Sequence, residues 1–295
     1  MPNGTPNRFY KYMTAKAAKA VLENNAFRWS SPSLFNDPFD MQFDLHLEYD
    51  RQQVVNRVLD RFMDVYTGRA QPVAGRTLDE KAKLLRACMP GIKEGKVRNE
   101  HRAAIYETLR LTEDGLPKLH EELRTVLASR KLLCLSEIPD SLIMWAHYAE
   151  NHAGAVIEVS YLEDGTYAST WGAAKPVRYT ANMPRLADER ALTRCLLGEG
   201  PLATPQQFQD SVYVKADAWS YEKEWRVFGG WENQQKTEDV KFRVKEMTAV
   251  YFGCRMPDAT RKEIKEIMTR KYPHASIQNG SKSVRRFALE FAKAA

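Results

Sequence analysis

Apolar residues recur along this chain with two different periods, and the change between them divides it. Residues 9–13, Phe-Tyr-Lys-Tyr-Met, read as a short strand. Thr14 stands as a helix N-cap before residues 15–25, where Ala17, Ala18, Val21 and Leu22 fall at helical spacing. Residues 27–30 form a second strand, and the Ser-Pro and Asp-Pro steps beyond it force a turn-rich loop. From residue 48 to 129 charge is dense, and Val54, Val55, Val58, Leu59, Phe62 and Val65 recur every three or four positions. The runs 78–89, 97–111 and 116–128 repeat that spacing, with breaks at 68–75 and at Pro90-Gly91. Strands return at 132–136, at 155–160 and at 177–179, with a helix over 141–148. Residues 184–215 read as helical, broken near 198–205. Strands follow at 224–229, closed by the turn glycines Gly229-Gly230, at 239–244 and at 248–252. A helix over 257–271 turns Ile264, Ile267 and Met268 inward, and 276–278 and 286–289 read as edge strands.

This succession predicts an α+β fold, a mixed, mostly antiparallel sheet with flanking helices. The core comprises residues 1–47 and 130–295, and residues 48–129 are a helical insertion.

Composition narrows the classes. A hydrophobic share of 43% supplies a well-buried core. A net charge of +6 suits a phosphate-bearing ligand or a nucleic acid but demands neither. Cys88, Cys134, Cys195 and Cys254 are far apart and lack metal-ligand spacing, so free thiols in a reducing cytoplasm are expected and zinc is not. The opening Met-Pro-Asn-Gly-Thr-Pro-Asn-Arg has no apolar signal segment, and no apolar run is long enough to span a membrane. A cytoplasmic protein is the expectation.

Three short clusters mix aromatic with polar residues in the way a ligand pocket needs. The first is Ser30-Ser31-Pro32-Ser33-Leu34-Phe35-Asn36-Asp37-Pro38-Phe39-Asp40. Asn36 and Asp37 suit a plain turn, while the nearby hydroxyls can hold a phosphate or a ribose. The second is Cys134-Leu135-Ser136-Glu137 with Met144-Trp145-Ala146-His147-Tyr148-Ala149. On a helix Trp145 and Tyr148 share a face and His147 points elsewhere. The third is Trp219-Ser220-Tyr221-Glu222-Lys223-Glu224-Trp225-Arg226-Val227, where a strand would put Glu222, Glu224 and Arg226 on one face. Two carboxylates and a guanidinium together are costly to bury unless paired. No HExxH, GxGxxG or P-loop sequence occurs, and no Ser/His/Asp arrangement is apparent.

With these residues the chain resembles a bacterial family catalogued as a domain of unknown function, number 2971. The resemblance runs through Tyr10-Lys11-Tyr12, Phe35-Asn36-Asp37-Pro38-Phe39, Cys134-Leu135-Ser136, residues 144–149, His152-x-Gly154-x-Val156-Ile157 and Trp219-x-Tyr221-Glu222-x-Glu224-Trp225-Arg226. It implies kinship without an activity. The order of elements also resembles the ADP-ribosyltransferase superfamily, with Tyr10 or Lys11 on an early strand, Ser136 in the middle and Glu222-x-Glu224 late. The first position here holds neither arginine nor histidine.

The second resemblance implies an enzyme that consumes NAD, by ADP-ribose transfer to a protein or nucleic acid or by hydrolysis, as a toxin or phage-defence effector does. It implies that Glu224 stabilises the ribosyl cation, that Glu222 activates the acceptor and that Ser136 steadies Glu224 or the ribose. Trp145 or Tyr148, beside His147, would stack on a base. Ser31, Asn36, Asp37 and Arg226, with Tyr10 and Lys11, would complete the NAD-binding set, with no metal.

Two other readings stay open. One is nucleic-acid binding on Tyr10, Tyr12, Trp29 and Trp145, or a metal-dependent nuclease using Asp37, Asp40, Glu222 and Glu224. The other is a noncatalytic interaction or sensor module built on residues 48–129.

Overall fold

The computed structural model describes residues 6–42, 44–164, 167–229 and 235–293. The chain forms two compact units, one of residues 1–42, 126–181 and 213–295, the other of residues 43–125 and 182–212.

The first unit is α+β and is built on a large sheet. Its middle strand, Ala155–Ser160, is an apolar run buried along most of its length, as expected for a strand covered on both faces. Outward on one side lie Met247–Phe252, Ser276–Lys282 and Leu289–Lys293; on the other lie Arg8–Met13, Leu132–Ser136, Ala26–Ser30 and Thr237–Lys241. The pair Met247–Phe252 with Ser276–Lys282 is parallel, and the other pairs of this sheet are antiparallel. Phe9, Trp29, Leu133, Leu135, Ile157, Val227 and Val250 form the main core with Leu22 and Ile264 of the covering helices Ala15–Asn24 and Asp258–Lys271. The Tyr272 hydroxyl ties those helices together, donating to the Leu22 carbonyl and to Asn25 Oδ1, each at 2.9 Å. Thr14 Oγ1 caps the first helix by accepting from the Ala17 amide at 3.2 Å. Thr14→Ala is expected to cost about 1 kcal/mol in thermal unfolding.

The strand Leu132–Ser136 is where the sheet opens. One edge pairs along its whole length with Glu224–Phe228. The other edge meets Arg8–Met13 only at Tyr10↔Ser136 and Ala26–Ser30 only at Ser30↔Leu132. Between those two points the backbone of Leu133 to Leu135 faces a gap, and the Lys11 ammonium fills part of it by donating to the Cys134 carbonyl at 2.8 Å.

The second unit is mainly helical. Val54, Val58, Leu59 and Phe62 of the helix Arg51–Thr67 pack with Ala82, Ile105, Leu109 and Leu192. The runs expected at 97–111 and 116–128 belong to one helix, Glu94–Ser129, which carries Pro117 inside it. The Pro117 ring forgoes one intrahelical hydrogen bond, while the Glu113 carboxylate anchors that turn by accepting from Tyr49 Oη at 2.5 Å.

Residues 184–215 are not simply helical. Arg185–Asp188 is a strand paired in parallel with His46–Glu48. The Asp188 side chain then accepts from the Ala191 amide at 2.9 Å and starts the helix Glu189–Leu197. Pro205–Ser211 is a second short helix, and Val214–Ala216, in the first unit, is a strand beside Arg178–Thr180. The expected strand at 286–289 is also displaced. Arg286 and Phe287 lie in the connection of a hairpin whose strands close at Lys282↔Leu289. Gly229 donates to the Lys131 carbonyl at 2.8 Å, and Gly230 lies outside the described residues. Among the described residues no helix is long and apolar enough to cross a membrane.

Candidate functional site

Register places the chemistry. Ser136 sits opposite Glu224 on one edge of its strand and opposite Tyr10 on the other, and Tyr10 sits opposite Glu158. Directly opposed residues of antiparallel strands project to the same face. Glu224, Ser136, Tyr10 and Glu158 therefore form one row across four strands. A cavity of about 430 Å³ opens along this row at the gap in the sheet, bordered by Tyr10, Ser136 and Glu224 of the row, together with Glu222, Lys215 and Tyr148.

Glu222 reaches the cavity by a local twist rather than by strand alternation. It ends the 3-10 turn Asp217–Glu222, and Lys223 follows in the left-handed region at φ 47°. That kink brings the Glu222 carboxylate beside that of Glu224. The Ser136 hydroxyl fixes the turn, donating to the Glu222 carbonyl at 2.6 Å and accepting from the Ile138 amide at 3.2 Å. The Tyr179 hydroxyl accepts the Glu224 amide at 2.7 Å.

Five charged groups meet here, all buried. Lys215 Nζ lies 2.5 Å from Glu222, 2.8 Å from Glu224 and 3.4 Å from Asp40. Arg226 Nε donates to Glu224 Oε1 at 2.7 Å, and its Nη2 spans both Asp40 oxygens at 2.7 and 2.8 Å. Glu222 Oε1 accepts from the Tyr148 hydroxyl at 2.6 Å. Three carboxylates thus share two cations.

Their environments push them apart. Burial raises Glu224, but the Arg226 and Lys215 charges outweigh it and hold the carboxyl well below its usual range. Burial keeps Glu222 above its usual range despite Lys215, and it likewise keeps Asp40 above its own despite Arg226. Burial disfavours the Lys215 ammonium, yet its carboxylate partners, Glu224 foremost, keep it charged well above the ordinary range. Burial and the Glu222 charge raise the Tyr148 phenol, so it stays a donor. The site therefore holds one firmly ionised carboxylate, Glu224, beside one that takes a proton more readily, Glu222. Such a divided pair is what acid–base and charge-stabilising roles require.

Eight of the expected site residues border the cavity: Tyr10, Lys11, Asn36, Ser136, His147, Tyr148, Glu222 and Glu224. Four do not, each for a physical reason. Ser31 is buried, donates to the Ala128 carbonyl at 3.0 Å and caps the turn Pro32–Leu34. Asp37 closes its own turn by accepting from the Phe39 amide at 2.9 Å. Trp145 is fully buried, donates from Nε1 to the Pro139 carbonyl at 2.8 Å and packs edge-on against Tyr12, so it is core rather than a stacking platform. Arg226 is fully buried and does not border the cavity, but it is ion-paired to Asp40 and Glu224, which do.

Of the four aromatics read as a stacking surface, Tyr12, Trp29 and Trp145 are buried, and Tyr10 is half-buried at the border of the cavity. In the nuclease set, Asp37 is turned away, and Asp40, Glu222 and Glu224 surround the Lys215 ammonium, which holds the position a cation would take. Among the described residues no three His, Cys, Asp or Glu side chains group so as to hold a metal ion.

The residue missing from the sequence reading is Lys215. It lies at the end of a stretch read as helix, seven positions before Glu222, and nothing in its local pattern marks it. The sequence signal was indirect: the buried acidic pair demanded a cation.

A family model described as a protein of unknown function (DUF2971) matches residues 144–227. Over those residues the chain is similar to DUF2971. That DUF2971 span supplies His147, Tyr148, Lys215, Glu222 and Glu224 to the cavity, while Tyr10, Lys11, Asn36 and Ser136 come from outside it. No curated protein and no solved structure gives a significant match to the chain.

Proposed function

We propose that this cavity binds NAD and breaks its nicotinamide–ribose bond, giving ADP-ribosyl transfer or hydrolysis in the cytoplasm. The supporting observation is the registered row Tyr10–Ser136–Glu224, on adjacent strands and open to one cavity beside Glu222. The cavity, about 430 Å³, is in the range of small-molecule sites.

In this reading the C1′–N bond breaks and its electron pair leaves with nicotinamide. The ribose carries the developing positive charge, and the ionised Glu224 carboxylate stabilises it from a fixed position. Glu222 takes the proton of the attacking water or acceptor hydroxyl as the new bond to C1′ forms. Tyr148 holds Glu222 in place, and Lys215 holds both carboxylates together. Asn36 and Lys11 meet the polar groups of the dinucleotide.

The test is nicotinamide release from NAD by the full chain. Wild type is expected to release it. Glu222→Gln is expected to lower the rate about a hundredfold or more, with a melting temperature near that of wild type. Absence of release, with no rise in melting temperature on adding NAD, would overturn the reading. So would equal rates for wild type, Glu222→Gln and Glu224→Gln.

A further inference from the structure

The hairpin joining Ser276–Lys282 to Leu289–Lys293 carries a second cavity, of about 510 Å³. Lys282, Arg285 and Arg286 of the hairpin border it, with Arg255 from the turn after Met247–Phe252. All four cations are exposed. Among the described residues none of them forms an ion pair, whereas other exposed arginines, such as Arg28, Arg110 and Arg185, do. Cations that border one cavity without a carboxylate partner repel one another. That cost makes sense if an anion normally completes the arrangement.

The same hairpin displays Phe287 at 102% and Val284 at 95% of full exposure. A phenyl ring fully in water beside four unpaired cations has no packing role. The loop is nevertheless tied by its own hydrogen bonds. Ser283 donates to the Ala288 carbonyl at 3.0 Å, Ala288 to the Arg286 carbonyl at 2.9 Å, and Arg285 to Ser283 Oγ at 3.4 Å. At the cavity wall the Nδ1 of His152 is buried without a partner, and His152 itself sits in the left-handed region at φ 69°.

We infer that this hairpin binds single-stranded nucleic acid, with Arg255, Lys282, Arg285 and Arg286 on successive phosphates and Phe287 stacked on a base. The chemistry is that of a cationic groove that follows the backbone plus an aromatic face that accepts any base. The cations border a concavity, which suits a strand drawn in by its phosphates, with the Phe287 ring free to take a base. The site differs from the NAD cavity in every bordering residue, so it holds whichever way the nicotinamide-release test falls.

The experiment is fluorescence anisotropy of a labelled oligonucleotide of about fifteen residues, within the usual span of such sites, titrated at several salt concentrations. Wild type is expected to bind with an affinity that falls steeply with salt. Lys282→Ala/Arg285→Ala/Arg286→Ala is expected to weaken binding tenfold or more, and the log–log salt slope is expected to fall by about 2, at roughly 0.7 per lost phosphate contact. Phe287→Ala is expected to weaken binding about fivefold or more and leave the salt slope unchanged. All four positions are exposed, so melting temperatures and nicotinamide release should not change. No binding by wild type at low salt, or undiminished binding by the triple variant, would overturn the inference. Binding to phosphatidylserine vesicles but not to the oligonucleotide, lost in the same variants, would overturn it in favour of a lipid surface.

Discussion

Arg226→Met is expected to lower folding stability by about 3–5 kcal/mol. The guanidinium is fully buried. Its Nε is bound to Glu224, its Nη2 is bound to both oxygens of Asp40, and the Phe35 ring lies 6.0 Å away. Methionine fills most of the same space, so the cavity term is small. What remains is three buried carboxylates, Asp40, Glu222 and Glu224, with only Lys215 among the cluster's cations to neutralise them.

The pH dependence has a definite sign. The Glu224 carboxyl is held below its ordinary value of 4.5, so its contribution is present above that value and is lost as pH falls through the depressed one. The deficit of Arg226→Met should therefore be full at neutral pH and shrink on acidification. Adding Asp40→Asn removes one of the stranded charges and should return part of the loss, a coupling that a double-mutant cycle resolves. The measurement is denaturant unfolding followed by tryptophan fluorescence. A loss below about 1 kcal/mol at neutral pH would mean that the carboxylates are not held as the geometry describes.

The legible parts of this fold were those set by local pattern. The apolar run at 155–160 and the helical spacing at 15–25 and 54–65 need only neighbours a few residues away, and they fold as their periodicity dictates. Boundaries failed where a distant partner decides. Residues 185–188 have a helix ahead of them, yet they become a strand because His46–Glu48 offers an edge. Pro117 should end a helix, yet the helix runs on to Ser129, and one turn before the proline the Glu113 carboxylate accepts from Tyr49.

The candidate site shows the same division. Glu222 and Glu224 were recognisable because paired carboxylates among aromatics are costly to bury without a partner, whereas Ser136 was marked by the resemblance to the ADP-ribosyltransferase superfamily. Lys215 was invisible because its meaning lies in three carboxylates it meets only after folding. Trp145 misled for the converse reason. A tryptophan beside a histidine and a tyrosine resembles a binding surface in sequence, and only burial distinguishes it from core.

Lys215→Met is expected to destabilise the protein in a strongly pH-dependent way. In wild type the ammonium lies within 3.4 Å of Asp40, Glu222 and Glu224 and 5.1 Å from the Trp219 ring. Lys215 itself is held charged above its ordinary 10.5, so between about pH 4 and 9 its own protonation is constant and the carboxylates set the slope. Glu222 and Asp40 already lie above their ordinary values of 4.5 and 3.8. A carboxyl raised on folding favours the fold below its ordinary value and loses that contribution as pH rises through the raised one. Removing the nearest cation raises both further and widens the loss. The gap between wild type and variant should be small near pH 4, where the acids can hold protons, and reach about 3–5 kcal/mol by pH 8. Unfolding free energies across that range decide it. A gap that stays constant would assign Lys215 to packing of its aliphatic stem. A gap that grows with pH would establish that this lysine is what allows two glutamates and an aspartate to share one buried site.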